Sequence, residues 1–468
     1  MKSVFCSLLL ASALAPATLA SPAPLKPRAT PIATVWSKQT KSASKRLASG
    51  FIYGIPDTLN QVPDHFYTEM GFNYGRAGGA QLGSPARGWI YGSTEYKNRF
   101  KSTLNNYQTT RKYGGKFIIL PHDIWGTDHV NSSTVWPGDN GSWTDYDKFV
   151  AQLVSDIKAN GMTAGLVWDI WNEPDLTIFW NRPQSQWLDL YVRTHKAIRA
   201  DSALSGVEVS GPSLANMPVS SNTWWTNWLS RIKSSSIPPD QYSYHLEGSS
   251  TDPNNKLSSC NSSLSSMLST YGLSKPKLTN INEYGNYGEQ TAAGTGWWIS
   301  QLERYDAVGL RGNWLGSCSL HDYFAQIIYK PSNNCGSTDY YPNAQYQVYK
   351  YYNQQMTGPR FVTSPSGDEI FDVYATHQNS KMTILAGSRL STTFWQINVD
   401  SMSALGLPTS GTVNIQTWGF DTNGWQTTLS TPTNLGVVAH TYTNNVLEFP
   451  IFQTNTYATW AFEFAIKI

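Results

Sequence analysis

Charged side chains are scarce in this chain of 468 residues, and the two signs nearly cancel. Asp, Glu, Lys and Arg make up 14% of the sequence, and the formal net charge is +2. Such a composition offers no evident electrostatic footprint for a phosphate backbone or an anionic membrane, so we expect neither nucleic acid nor a membrane as partner. A neutral substrate fits better. The oligomeric state is open, with a monomer as our expectation.

Long apolar runs are missing beyond the first twenty residues. Residues 1–20 carry Lys2, an apolar stretch and Ala-Thr-Leu-Ala before Ser21, which is typical of a secretory signal. The run is too short to span a membrane. We therefore expect a secreted, extracellular protein, with residues 21–40 as a leader or linker. Glycosylation sequons suit that location and occur at Asn131, Asn140 and Asn261.

Cysteine is also rare, which excludes a disulfide-dense scaffold. Removing the signal would remove Cys6 and leave Cys260, Cys318 and Cys335. In an oxidising compartment an odd count predicts one bridge and one spare thiol. We predict the pair Cys318–Cys335, because both flank one loop region after the last candidate barrel strand. The alternative is that all three are unpaired.

Motifs for cofactors do not stand out. The glycine-rich stretch 75–79 lacks the spacing and the helix start of a phosphate cradle, and we find no Cys/His metal set and no Ser/His/Asp arrangement. Neither a cofactor nor a metal is expected. Aromatic residues, in contrast, are abundant, with 19 Trp and 26 Tyr. Most of them will belong to the core, but aromatic rings also suit stacking against sugars.

The stretch 168–175 is the most informative part of the chain. A short apolar run, 164–170, ends in the tripeptide Asn-Glu-Pro. Its length and composition favour a strand buried on both faces of a parallel sheet. Pro174 ends the strand and favours extended geometry for Glu173 at its carboxyl end, which is the catalytic end of an α/β barrel. Taken alone, Glu173 could equally be a loop carboxylate that caps a helix.

A second glutamate has a similar setting. The run 277–285 is another short strand candidate, closed by Gly285, with Glu283 at its tip. Two carboxyl groups at the ends of two parallel strands are what cleavage of a glycosidic bond requires, since one protonates the leaving oxygen and the other attacks the anomeric carbon or activates water. The interval between them leaves room for two strand and helix pairs, which predicts strands four and seven of a barrel.

The rest of the chain supports an α/β class with two units. Short strand-like runs alternate with amphipathic stretches, which favours a (β/α)8 barrel over 41–355. Beyond it, short alternating runs separated by turn residues predict an all-β, sandwich-like accessory domain over 356–468. The candidate barrel strands are 50–54, 72–76, 116–120, 165–171, 207–211, 242–246, 278–282 and 310–314.

The sequence Asn172-Glu173-Pro174, followed much later by the strand-ending Glu283, resembles the clan A retaining glycoside hydrolases. The chain is most similar to glycoside hydrolase family 39, the β-xylosidase group, from about Gly50 onward. The resemblance implies retention through a covalent glycosyl enzyme, with Glu173 as acid/base and Glu283 as nucleophile. Asn282-Glu283-Tyr284-Gly285 differs from the Thr-Glu-Trp pattern of the xylosidases, so the sugar stays open.

Residues at the other strand tips should line the same pocket. Asn172 could donate to the sugar 2-hydroxyl, and Arg76 could keep Glu283 ionised. We expect burial to keep Glu173 protonated. A His or Tyr of strand six should aim the nucleophile, and Trp314 should stack on the sugar. The candidate binding residues are Arg76, His122 with Asp123 and Trp125, Asn172, Tyr244 with His245, and Trp314.

Three functional interpretations therefore compete. The leading one is a secreted retaining glycoside hydrolase, β-xylosidase-like, that acts on a neutral plant or microbial polysaccharide or oligosaccharide. The second is another clan A enzyme, such as a galactanase, glucanase or arabinosidase. The third is a carbohydrate-binding barrel without catalysis, which the presence of both glutamates disfavours.

Overall fold

The computed structural model describes residues 31–248, 252 and 255–468, so the expected secretory signal lies outside the described part. The strands are β1 (Ile32–Ala43), β2 (Gly50–Ile52), β3 (Tyr74–Ala77), β4 (Lys116–Ile119), β5 (Leu166–Asp169), β6 (Glu208–Leu214), β7 (Gln241–Leu246), β8 (Leu278–Tyr284), β9 (Val308–Arg311), β10 (Ile328–Tyr329), β11 (Tyr341–Pro342), β12 (Pro359–Ser364), β13 (Phe371–Gln378), β14 (Lys381–Ser388), β15 (Phe394–Asp400), β16 (Gly411–Phe420), β17 (Thr433–Tyr442), β18 (Val446–Phe452) and β19 (Thr459–Ala465). The α-helices are α1 (Asp64–Glu69), α2 (Ser93–Lys112), α3 (Pro121–Trp125), α4 (Thr144–Ala159), α5 (Gln184–Ala200), α6 (Thr223–Ser234), α7 (Leu257–Thr270), α8 (Ala292–Tyr305) and α9 (Ala344–Gln355).

Strands β2 to β9 form a closed parallel barrel in chain order, with β9 pairing back to β2. The expected (β/α)8 fold is confirmed. Its strands are short, and β5 is buried on both faces, which is why its sequence is an almost continuous apolar run. The surrounding helices bury one face each, and in α4 that face comprises Phe149, Leu153 and Ile157.

Both glutamates lie where the sequence places them along the barrel. Glu173 follows β5, the fourth barrel strand, and Glu283 lies near the end of β8, the seventh. Because all eight strands run parallel, their carboxyl ends meet at one mouth of the barrel. The two carboxyl groups are therefore brought to the same end of the molecule.

The second unit is a nine-stranded sheet in the order β17-β16-β19-β14-β13-β12-β1-β15-β18. It encloses a core of its own that includes Val35, Ile384 and Phe449. An all-β accessory unit is confirmed, but β1 belongs to it and pairs with both β12 and β15. The stretch 21–40, expected to be a leader or linker, therefore forms a strand from Ile32 onward. Its alternating burial follows from packing one face on this core.

Helix α8 joins the two units. It packs on β13 and β14 so closely that a Cβ atom on Gly387 would lie 1.9 Å from the backbone nitrogen of Trp297. Buried ion pairs reinforce the contact, and the Arg389 Nε lies 2.5 Å from the Glu289 Oε1. The barrel and the sheet are thus in close contact through α8.

The predicted disulfide is confirmed. Cys318 and Cys335 are bonded, with their Cα atoms 6.1 Å apart, in the long connection that follows β9. Cys260 is outside this bridge and is buried on α7, beside Tyr244. Within the described residues, no helix is both long and apolar enough to cross a membrane.

Candidate active site

One histidine connects the two glutamates. His245, near the end of β7, places its Nδ1 atom 2.7 Å from the Glu173 Oε1 and its Nε2 atom 3.6 Å from the Glu283 Oε1. The imidazole is buried, whereas both carboxyl groups keep about an eighth of their surface exposed, at 12% and 13%. The two carboxyl groups therefore flank a single ring and remain accessible from the mouth of the barrel.

One arginine holds the other side of the site. The fully buried guanidinium of Arg76, on β3, donates to Glu283 Oε1 at 2.5 Å, to Asp169 Oδ2 at 2.8 Å and to Asn172 Oδ1 at 2.6 Å. Arginine can only donate, so Asn172 must present its oxygen to Arg76 and keeps its amide group as a donor. This amide group could donate a hydrogen bond to a sugar 2-hydroxyl.

A buried polar network inside the barrel, which the sequence did not predict, supports these residues. Asp169 accepts hydrogen bonds from Arg76, from Ser213 Oγ at 2.8 Å and from Asn282 Nδ2 at 3.0 Å, all inside the barrel. Ser243 extends the network through Ser213. The signal was present, because Asp169 is the charged residue of an otherwise apolar strand, and such a residue needs buried partners.

The backbone at Glu173 is unusual. Its φ angle is 42°, in the left-handed region that non-glycine residues rarely adopt. The extended geometry expected before Pro174 is therefore wrong. A hydrogen bond from the Glu173 N–H to the Ser213 carbonyl, at 2.9 Å, holds this conformation. Strain of this kind persists only where neighbouring structure enforces it, and here it turns the carboxyl group toward His245.

The charges around Glu173 reverse the expected effect of burial. Burial alone would raise its pKa, but His245, Arg76 and His122 together lower the pKa below the usual value. Burial lowers the pKa of His245, and the two carboxylates outweigh that effect and raise it. The pKa of Glu173 is thus shifted in the opposite direction to the one expected from burial alone, while the pKa of His245 is shifted upward.

A third carboxyl group, absent from the sequence prediction, lies at the same mouth. Burial, and then the charges of Glu283 and Glu173, raise the pKa of Glu247 well above its usual value. Glu247 follows His245 by two positions, so it continues the inward phase of β7. That spacing is the signal that could have revealed it.

The residues after β4 divide into two groups. His122 is buried near Glu173, with its Nε2 atom 3.0 Å from Asp123 Oδ1, and Asp123 also accepts from Tyr53. Trp125 is only 1% exposed and packs against Trp136 and Trp171 at ring distances of 5.3 and 5.9 Å. Trp125 therefore supports the wall of the site and does not present its ring to a ligand.

Tyr244 is not part of the site. Successive strand residues point to opposite faces, so Tyr244 points outward to Trp225, at a ring distance of 5.9 Å, while His245 points inward. Of the two candidates for aiming the nucleophile, only His245 is in place. Trp314 lies at the rim, 43% exposed, with its Nε1 donating to the Gly285 carbonyl at 3.1 Å. Its stacking role stays a prediction.

Comparisons with known proteins establish the fold. No protein-family model and no curated protein sequence matches the chain. Among solved structures, protein N2152 from Neocallimastix frontalis is similar with a TM-score of 0.72 and 18% identity, over 93% of this chain and 99% of that one. The GH39 enzyme from Xanthomonas axonopodis pv. citri has a TM-score of 0.57 at 13% identity, over 94% and 99%.

A glucosidase from Croceicoccus marinus has the same architecture, with a TM-score of 0.58 and 12% identity over 94% of this chain and 99% of that chain. The barrel with its β-sheet unit is therefore a fold that this chain shares with glycoside hydrolases along nearly its whole described length. Within the described part of the chain, no group of three or more His, Cys, Asp or Glu side chains is arranged to hold a metal ion.

Proposed function

We propose that this protein is a retaining glycoside hydrolase of the clan A type. The observation that carries the proposal is the contact of one buried histidine with both strand-end glutamates, while Arg76 binds Glu283. Two carboxyl groups in distinct environments are the minimum machinery for this reaction. The fold shared with the GH39 enzyme and the glucosidase supports the same conclusion.

In the proposed mechanism, Glu283 is the nucleophile and Glu173 the acid/base. Arg76 holds Glu283 through an ion pair, and the carboxylate oxygen of Glu283 attacks the anomeric carbon as the bond to the leaving oxygen breaks. The leaving oxygen takes its proton from Glu173, which remains as a carboxylate beside His245 in the glycosyl enzyme. Water then attacks the glycosyl enzyme and gives a proton to Glu173, which restores both groups and retains the anomeric configuration.

For the substrate, we propose a neutral sugar at the end of a plant or microbial oligosaccharide or polysaccharide, as in a β-xylosidase. Exposed Trp314 would stack on the ring, and Asn172 would donate to its 2-hydroxyl. Solved structures of similar fold also include a family 30 xylanase and a family 44 endoglucanase, each with a TM-score of 0.55. A glycanase that cleaves within chains is therefore the second candidate.

We also propose that the protein is exported. The confirmed disulfide suits an oxidising compartment, and the three sequon asparagines, Asn131, Asn140 and Asn261, are all exposed. None of the three lies among the residues of the site.

Hydrolysis of a panel of 4-nitrophenyl glycosides and of xylan-derived and glucan-derived oligosaccharides tests the proposal. The wild-type protein should cleave at least one substrate, and NMR should show the product first as the retained anomer. Glu283→Gln should abolish turnover. Glu173→Ala should cripple poor leaving groups far more than 4-nitrophenol, and azide should restore its rate with a retained azide product. Binding without cleavage would instead establish a carbohydrate-binding barrel.

A further inference from the structure

Glu247 lies beyond the end of β7, and its carboxyl group crosses toward β9. A Cβ atom on Gly312, the residue after β9, would lie 1.9 Å from the Glu247 Oε1. Strand β8 separates β7 from β9 in the barrel. A side chain that reaches from one to the other must therefore pass over the end of β8, where Glu283 lies.

The register of the three strands fixes this crossing. His245 pairs with Glu283, and the backbone N–H of Gly312 donates to the Tyr284 carbonyl at 2.9 Å. Any side chain at position 312 would occupy the space of the Glu247 carboxyl group. Glycine at this position thus leaves room for a third carboxyl group beside the nucleophile.

The carboxyl group of Glu247 has unused hydrogen-bonding capacity. No hydrogen bond joins it to another of the described residues, in contrast to Glu173, Glu283 and Asp169, which all have partners. Glu247 is partly buried, so its carboxyl group remains within reach of a ligand that enters the mouth of the barrel.

We propose that Glu247 is a specificity-determining residue that binds a hydroxyl group of the sugar seated on Glu283. This inference rests on the proposed function. Burial and the neighbouring carboxylates raise the pKa of Glu247, which favours the protonated carboxyl group, and that form can both donate and accept. A sugar hydroxyl needs both. Three ionised carboxylates around one arginine would, in contrast, repel one another and any uronic acid.

The experiment compares Glu247→Ala and Glu247→Gln with the wild type on the best 4-nitrophenyl glycoside and on its monodeoxy analogues. On the parent glycoside we expect Glu247→Ala to lower kcat/KM by about 10- to 100-fold, since a hydrogen bond to a buried polar group is lost. On one deoxy analogue, which lacks the hydroxyl that Glu247 binds, wild type and Glu247→Ala should differ by less than about 3-fold. Glu247→Gln should keep most of the discrimination.

Glu289→Gln is the matched control. Glu289 is a second glutamate in a connection at this mouth, but it is buried and pairs with Arg389 and Trp298. Any loss it causes should be equal for all analogues. A uniform loss for Glu247→Ala across the whole series, or no loss at all, overturns the inference while leaving the proposed function intact. If the wild-type protein cleaves no glycoside, the proposed function is wrong and the inference is wrong with it.

Discussion

Arg76 holds three residues of the site in place, because Asp169, Asn172 and Glu283 all accept hydrogen bonds from its planar guanidinium. A lysine would keep the charge but could not reach Asp169, Asn172 and Glu283 at once. We expect Arg76→Lys to lose about 3 kcal/mol of stability, as when a buried pair is broken, and about 100-fold in kcat/KM as Glu283 loses its position. Chemical denaturation and steady-state kinetics measure the two effects.

Arg360→Lys is the control for that loss. Arg360 is also buried, and its Nη1 lies 2.6 Å from Glu303 at the interface with the sheet, away from the mouth of the barrel. It should cost similar stability while kcat/KM per folded molecule stays unchanged. If Arg76→Lys also kept its kcat/KM, the role of Arg76 in holding the nucleophile would be refuted.

The raised pKa of Glu247 predicts a pH dependence of stability. The folded protein holds this proton at pH values where the unfolded chain, with a pKa of about 4.3, has released it. The contribution of Glu247 is thus most favourable below pH 4.3 and decreases as pH rises toward its folded pKa. Glu247→Gln cannot ionise, so its Tm relative to wild type should increase steadily from pH 4 to pH 8.

Glu95, a glutamate whose pKa is lowered and not raised, serves as the comparison. A hydrogen bond from Arg87 is the largest cause that lowers the pKa of Glu95, to about 2. Its contribution is therefore present above about pH 4.3 and is lost as pH falls toward 2. Glu95→Gln should have a lower Tm than wild type at neutral pH, and the difference should shrink in acid. A flat difference for Glu247→Gln between pH 4 and pH 8 would contradict its raised pKa.

At the scale of the strands, the sequence predicts where along the chain the barrel strands lie, but it does not predict which of their side chains point into the barrel. Strands such as β4 and β5 are recognisable because each is a short, largely apolar run followed closely by Pro or Asn. Both faces of such a strand are buried, so no alternation of polar and apolar residues shows which way a side chain points. Tyr244 and His245 are both fully buried, yet only His245 enters the site.

The other differences between the predicted and the observed structure have related causes. Trp125 follows a strand as the true site residues do, and only tertiary packing shows that its ring is enclosed. Glu247 lies just past a strand end, and its spacing of two from His245 is informative only once His245 is known to point inward. Strand β1 was missed because its partners lie at the far end of the chain, where no local pattern can reveal the pairing.

The disulfide should stabilise one connection and leave the barrel largely unaffected. Cys318 and Cys335 close a loop with a sequence separation of 17, for which chain entropy gives about 3 kcal/mol. Replacing both with serine should therefore lower the free energy of unfolding by about that amount or less. Hydrogen exchange should increase mainly within residues 317–337, and β5 should stay protected. Equal loss of protection in β5 would show that the bridge supports the whole barrel.

For the whole molecule, the close approach of α8 to β14 predicts that the barrel and the sheet unfold together. The Gly387→Ala variant would force apart two backbones that now touch, which costs about 3 kcal/mol as overpacking. Calorimetry should show one transition for the wild type and a lowered or divided one for the variant. Gly206→Ala, where an added methyl group meets no atom within 4 Å, should leave the transition in place.

Two resolved transitions in the wild type would contradict this coupling. So would a Gly387→Ala variant that melts at the same temperature as Gly206→Ala.

Strand β1 also determines the order of assembly during synthesis. It emerges from the ribosome first, yet the side chain of Trp36 bonds to Ser364, which lies 328 positions later. The barrel lies between Trp36 and Ser364 in the chain. It can fold while β1 is still unpaired and its apolar face is uncovered. Pairing of this kind is slow because a long loop must close before any contact forms. The sheet therefore closes only after β12 and β15 have been synthesised, and a chain that ends before them is left with an unpaired apolar strand that chaperones and proteases can recognise.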